Sequence, residues 1–104
     1  MSLPPLSAVR AFEAVARHLS FTRAAEELGM TQAAVSYQIR LLEERLATPL
    51  FLRKPRGIVL TETGALFARP TIDAFDMLRE AYADPSADSV STLSISTVPT
   101  FAGA

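Results

Sequence analysis

The sequence has no cysteine and no tryptophan, one histidine and four glycines in 104 residues. Without cysteine there is no disulfide framework and no thiolate metal site, and His18 alone cannot assemble a ligand set. The glycines are too scattered to form a phosphate-cradling loop. No apolar run approaches the roughly 20 residues that a membrane-spanning helix needs, and no charged-then-apolar leader opens the chain. The expectation is therefore a cytoplasmic protein with no membrane partner, no metal and no cofactor. Charge of one sign is also missing: the net charge is −1, which taken alone argues against a nucleic-acid partner.

What is present is the composition of one small folded domain, 49% hydrophobic and 20% charged. The charge is also unevenly spread. Residues 1–69 hold nine Lys/Arg against six Glu, net +3, whereas residues 70–104 hold one Arg against five acids, net −4. The positive part contains the stretch Ser20 to Leu46, around which the chain is organised. There a short helix starts at Ser20/Phe21, passes through Ala24, Ala25 and Leu28, and stops at Gly29, a residue that adopts a left-handed backbone without penalty. Thr31 caps a further helix running from Gln32 to about Leu46, roughly 22 Å long, with Val35, Ile39, Leu42 and Leu46 as its buried stripe. Two helices joined by a tight glycine turn form a helix-turn-helix. The face opposite the stripe offers Gln32, Ala33, Ser36, Tyr37 and Arg40, short or hydrogen-bonding groups at the end that enters a major groove in this motif. A plain two-helix corner in an all-α core is the competing reading.

An earlier helix begins after Pro4-Pro5 and runs to about Arg17, with Leu6, Val9, Phe12, Ala16 and Leu19 as its apolar positions. Arg17 and His18 fall at its C-terminal end, where cations complement the dipole, so His18 reads as a surface or capping histidine. After Ala47-Thr48-Pro49 come two short apolar runs, Leu50–Arg53 and Ile58–Leu60, flanking Lys54-Pro-Arg-Gly57. This is a hairpin signal, and beside a helix-turn-helix a hairpin is a wing. Its cations Arg53, Lys54 and Arg56 suit phosphate or minor-groove contact; the bland alternative is a solvated basic turn. Thr61 caps a long fourth helix in which Ala65, Ala68, Ile72, Phe75, Leu78 and Tyr82 recur at near coiled-coil spacing, with Pro70 inside a continuous, bent helix. Such a stripe either folds back on its own domain or, as we expect, marks an interface. From Ala83 the composition becomes that of a linker, and Leu93–Val98 alternates like a strand.

Phe21-Thr-Arg-Ala-Ala-Glu-Glu-Leu28, Thr31-Gln-Ala-Ala-Val-Ser36, Leu42-Glu-Glu-Arg-Leu46, Pro49-Leu-Phe51 and Thr61-Glu-Thr-Gly64 together resemble the N-terminal domain of LysR-type transcriptional regulators. The likeness spans Met1 to about Pro85, and Leu6–Phe21 is most similar to the glycine-cleavage-activator-like branch. The resemblance implies a mainly α fold: a winged helix-turn-helix over 1–60 with a two-stranded wing, then a linker helix over 61–84 that pairs two subunits. Residues 85–104 would be linker and first strand of an effector-binding domain that the chain lacks, so that it reads as a DNA-binding fragment or a truncated gene product. It further implies double-stranded DNA as partner, a homodimer rather than a tetramer, and a small-molecule effector only through the missing domain. The family's reading residues fall at Thr31, Gln32, Ser36 and Tyr37; Tyr37 departs from the His or Arg often found there, so a direct guanine contact is not implied at that position, where a tyrosine could bond a phosphate or pack on a methyl.

The candidate DNA-contacting residues are Ser20, Thr22, Arg23, Thr31, Gln32, Ala33, Ser36, Tyr37, Arg40, Arg53, Lys54 and Arg56. Within this set Ser20, Thr22 and Arg23 are phosphate candidates near a helix N-terminus. The low net charge leaves a second function open, a winged-helix protein–protein module using the long helix. An enzyme has little support: Glu26-Glu27 and Glu43-Glu44 are neighbours in sequence, which do not face a common site on a helix, and read as solvated charge.

Overall fold

The computed structural model describes residues 3–83, so the whole of the 85–104 linker, with its alternating stretch Leu93–Val98, lies outside the described residues. The element order is α1 (Leu6–His18), α2 (Phe21–Leu28), α3 (Gln32–Leu46), β1 (Phe51–Lys54), β2 (Gly57–Leu60) and α4 (Glu62–Ala81). This is a mainly helical winged helix-turn-helix with an antiparallel two-stranded wing, as the sequence led us to expect.

The fold is built around α1. Every residue from Ala11 to Ala16 is buried, because α2, α3 and α4 all pack on this helix. A helix covered on all sides needs small or apolar residues all round, and Ala8, Ala11, Ala14 and Ala16 let the neighbours close in on Phe12 and Val15. The expected stripe on α1 was therefore too narrow, and its ends were wrong: Leu6 and Leu19 are exposed. Leu19 instead closes the helix in a left-handed conformation, φ 51°, its N–H donating to the Val15 carbonyl.

The turn is made as its sequence suggests. The Ser20 hydroxyl accepts from the Arg23 N–H at 3.1 Å to start α2, Gly29 ends it at φ 65°, and the Met30 N–H returns to the Ala25 carbonyl at 3.0 Å. Ala24 and Ala25 are buried where α2 meets its neighbours. The wing pairs Phe51 with Leu60 and Lys54 with Gly57, leaving Pro55 and Arg56 at the tip. The wing roots are tied to the helices on both sides. The Glu43 carboxylate accepts from the Leu50 N–H at 2.8 Å, and the Leu50 carbonyl accepts from the Thr61 N–H at 3.0 Å. Glu43 is thus a structural acceptor rather than solvated charge. Thr61 caps α4, accepting from the Gly64 N–H at 2.9 Å and donating to the Pro49 carbonyl at 2.8 Å. The helix then continues through Pro70.

Two of the residues assigned to a subunit interface turn inward. Ala68 is buried and Ile72 packs against the core, so this part of α4 covers its own domain. Phe75 is half-buried, while Ala65, Leu78 and Tyr82 remain exposed. The large apolar residues that α4 leaves in solvent include two that the spacing rule passed over, Leu66 at 72% and Met77 at 70% exposure. At its far end Arg79 reaches across to α1 and α2, where Glu13 and Glu27 form an ion-pair cluster with Arg17 and His18. Glu27, expected to be solvated, is thereby engaged, and so is His18, whose Nε2 lies 2.7 Å from Glu27 Oε1.

Candidate nucleic-acid interface

Burial of Val35, Ile39 and Leu42 fixes the rotation of α3 and turns its other face to solvent. Thr31 Oγ1 accepts from the Ala34 N–H at 3.0 Å and sets the helix start. Thr31, Gln32, Ala33, Tyr37 and Arg40 are exposed and Ser36 is half-buried, so the assigned reading face is uncovered. Tyr37 is 52% exposed, and the Arg40 guanidinium lies 6.0 Å from its ring centroid.

The N-terminal end of α2 borders this face. Ser20 spends its acceptor on the cap of its own helix, and Arg23 is exposed. Thr22 does something the sequence did not disclose: its Oγ1 accepts a hydrogen bond of 2.9 Å from Gln32 Nε2, joining α2 to the first residue of α3.

The wing is positioned by a run of aromatic contacts. Phe12, fully buried, packs on Phe51 with centroids 5.6 Å apart; Phe51 meets the edge of Phe21 at 6.1 Å; and the Arg53 guanidinium lies 4.9 Å from the Phe21 ring centroid. A guanidinium over an aromatic face is attracted by the ring quadrupole. Arg53 is therefore held beside the start of α2, while Lys54 and Arg56 extend from the hairpin into solvent. Between α3 and β1 lies a notch of about 150 Å³ whose lining includes Ser36, Arg40, Arg53 and Glu43. Its carboxylate is already occupied by the Leu50 N–H, so the two arginines are the groups it offers to an anion. The Arg53–Phe21 contact was invisible in the sequence because nothing in either local pattern links the wing to α2.

No group of His, Cys, Asp and Glu among the described residues could hold a metal ion. No described helix is long and apolar enough to cross a membrane. A larger groove, about 610 Å³, runs between α1, α3 and α4 and is lined mainly by apolar side chains such as Val9, Leu46 and Phe67.

Residues 6–65, which include the turn, α3 and the wing, match the bacterial regulatory helix-turn-helix proteins of the lysR family. The chain belongs to this family. It is 50% identical over 101 residues to the glycine cleavage system transcriptional activator of Escherichia coli K12, which covers 96% of this chain and 33% of that protein. It is 64% identical over 75 residues to the HTH-type transcriptional activator AmpR of Citrobacter koseri, covering 71% of this chain and 26% of that one. The chain thus spans a third or less of the length of these two curated relatives, which are transcriptional activators rather than enzymes. The fold is similar to that in the crystal structure of the BenM DBD/catB site 1 DNA complex, with a TM-score of 0.68 and 33% identity over 75% of this chain and 88% of the other. It is also similar to the CbnR DBD–DNA complex, with a TM-score of 0.65 and 27% identity over 75% of this chain and 90% of the other.

Proposed function

We propose that this chain is the DNA-binding part of a LysR-type transcriptional regulator, with α3 in the major groove and the wing on the backbone or minor groove. One observation carries the reading. The first turns of α3 face solvent with Gln32, Ala33 and Tyr37 exposed, next to a wing whose cations Arg53, Lys54 and Arg56 are exposed as well. Gln32 can bond an adenine edge and the Ala33 methyl can touch a thymine methyl, while Arg23, Arg40 and the wing cations neutralise phosphates. The DNA complexes among the structural neighbours support this assignment.

The working unit on this reading is a dimer paired through α4, since Leu66, Met77, Leu78 and Tyr82 are apolar side chains left in solvent along this arm, which a second copy would cover. Residues 1–60 then act as the reading head and 61–84 as the pairing arm. Any small-molecule effector engages a domain outside residues 3–83. As a bacterial transcription regulator it would work in the cytoplasm.

Two substitutions test the assignment. Arg53→Ala should weaken binding to every duplex and lower the salt slope by about one unit, whereas Gln32→Ala should cost roughly 1–3 kcal/mol on a preferred sequence only. Wild-type binding by both variants would contradict it. The net charge of −1 and the apolar surface of α4 favour a second reading, a protein–protein module. A salt titration against a random duplex separates the two, because only the DNA reading requires affinity that falls steeply with salt.

A further inference from the structure

We propose that Thr22 is a positioning residue for base discrimination, orienting the Gln32 amide so that α3 prefers adenine. This rests on the reading that α3 enters the major groove. Gln32 is the first residue of α3 and Thr22 the second of α2, and the turn brings them together across ten positions of sequence with Nε2 donating to Oγ1 at 2.9 Å. Both residues are exposed. The bond therefore satisfies no buried group and is not needed to fill the core. Its effect is on the side chain itself: an exposed glutamine samples many rotamers and loses that freedom on binding, whereas Gln32 is already held.

The bond also decides which groups Gln32 has left to offer. A primary amide carries two N–H donors and one carbonyl acceptor. Thr22 engages one donor; the carbonyl oxygen and the second N–H bond no other described residue. One acceptor plus one donor is the complement of adenine in the major groove, which presents the N6 amino group and the N7 acceptor. Guanine presents two acceptors, O6 and N7, and would require two donors. With one donor engaged by Thr22, the match to guanine is poor. The Thr22 hydroxyl keeps its own hydrogen, which can donate to a phosphate while the oxygen holds Gln32.

The test is selection from a pool of random-sequence duplexes with the wild-type chain, Thr22→Val, Thr22→Ala, Thr22→Ser and Gln32→Ala. The wild type should enrich a motif containing an adenine. Its preference over guanine should fall roughly tenfold in both Gln32→Ala and Thr22→Val, at the same base pair, and be retained in Thr22→Ser. Losing the hydroxyl's donation to a phosphate in Thr22→Val weakens every duplex alike, so the readout is the ratio of adenine to guanine at that base pair rather than affinity. Thr22→Ala, which lacks the β-branch as well as the hydroxyl, should repeat the Thr22→Val result and so separates the missing bond from any change in helix stability. A Thr22→Val motif identical to that of the wild type would overturn the proposal. Equal weakening on all duplexes with that ratio unchanged would also overturn it, since that is the signature of a phosphate contact alone. A wild-type chain that enriches no motif would contradict groove reading itself, and this proposal with it.

Discussion

The Glu13 carboxylate on α1 meets the Arg79 guanidinium on α4 at 2.7 Å, across 66 positions of sequence. Glu13 is 1% exposed, and its second partner is Arg17, one turn along, which donates twice at 2.9 and 3.0 Å. This anchors the far end of α4, where the helix otherwise leaves its apolar residues in solvent. Removing the acid takes one partner from each of two cations, leaving Arg17 with Glu27 and Arg79 with Asp76, whereas removing Arg79 leaves the Arg17 pair in place. Glu13→Ala should therefore lose about 2 kcal/mol of stability, below the roughly 3–5 kcal/mol for breaking a wholly buried pair, because both arginines reach water and keep a second acid. Arg79→Ala should lose less. Urea denaturation measures both; a larger loss in Arg79→Ala would contradict the ordering.

The same cluster makes stability depend on pH. The hydrogen bond from Arg17 holds Glu27 down at about 2, against the upward push of burial and with help from His18. Burial pushes Glu13 upward too, but its bonds to Arg17 and Arg79 outweigh this and leave it below the ordinary 4.5. Both carboxyls are thus more acidic folded than unfolded. Their contribution is fully present above about pH 5 and is lost as pH falls toward about 2. Denaturation midpoints should drop as the pH falls below about 5, with a shallower drop in Glu27→Gln.

Gly64 sits in the first turn of α4 directly against the wing root, where a β-carbon would overlap the Leu50 carbonyl. Backbone cannot rotate away as a side chain can. Gly64→Ala should destabilise by about 1–3 kcal/mol or more, despite alanine's better helix propensity. Thermal denaturation reads this directly, and an unchanged midpoint would refute the close approach.

The caps on α3 and α4 should differ in weight. Thr31→Ala removes one bond, to the Ala34 N–H, and should cost about 1 kcal/mol. Thr61→Ala removes the Gly64 bond and the donation to Pro49 that ties helix to wing, and should cost about twice that. Equal midpoints for the two variants would show that the tie to Pro49 contributes nothing.

Much of the fold was legible because it is local. Gly29 and Thr31 announce the turn, and Val35, Ile39 and Leu42 fix the face of α3 that looks outward. The long-range pairings were not legible. Glu13 reads as an ordinary helical glutamate until Arg79 arrives from the other end of the domain, and Phe21 gives no hint that Arg53 will lie over it. The α4 stripe failed at Ala68 and Ile72 for a related reason: periodicity finds an apolar face but not whether its own domain already covers it. The same limit hid the Thr22–Gln32 bond, since each residue alone suits a direct contact.

The most direct measurement is titration of the isotope-labelled chain with a duplex, followed through backbone and side-chain amide resonances. DNA reading by α3 and the wing requires the shifts to concentrate at residues 20–23, 31–40 and 53–56, with the Gln32 side-chain amide among the largest. Shifts confined to α4, or none at concentrations well above those needed for binding, would contradict it.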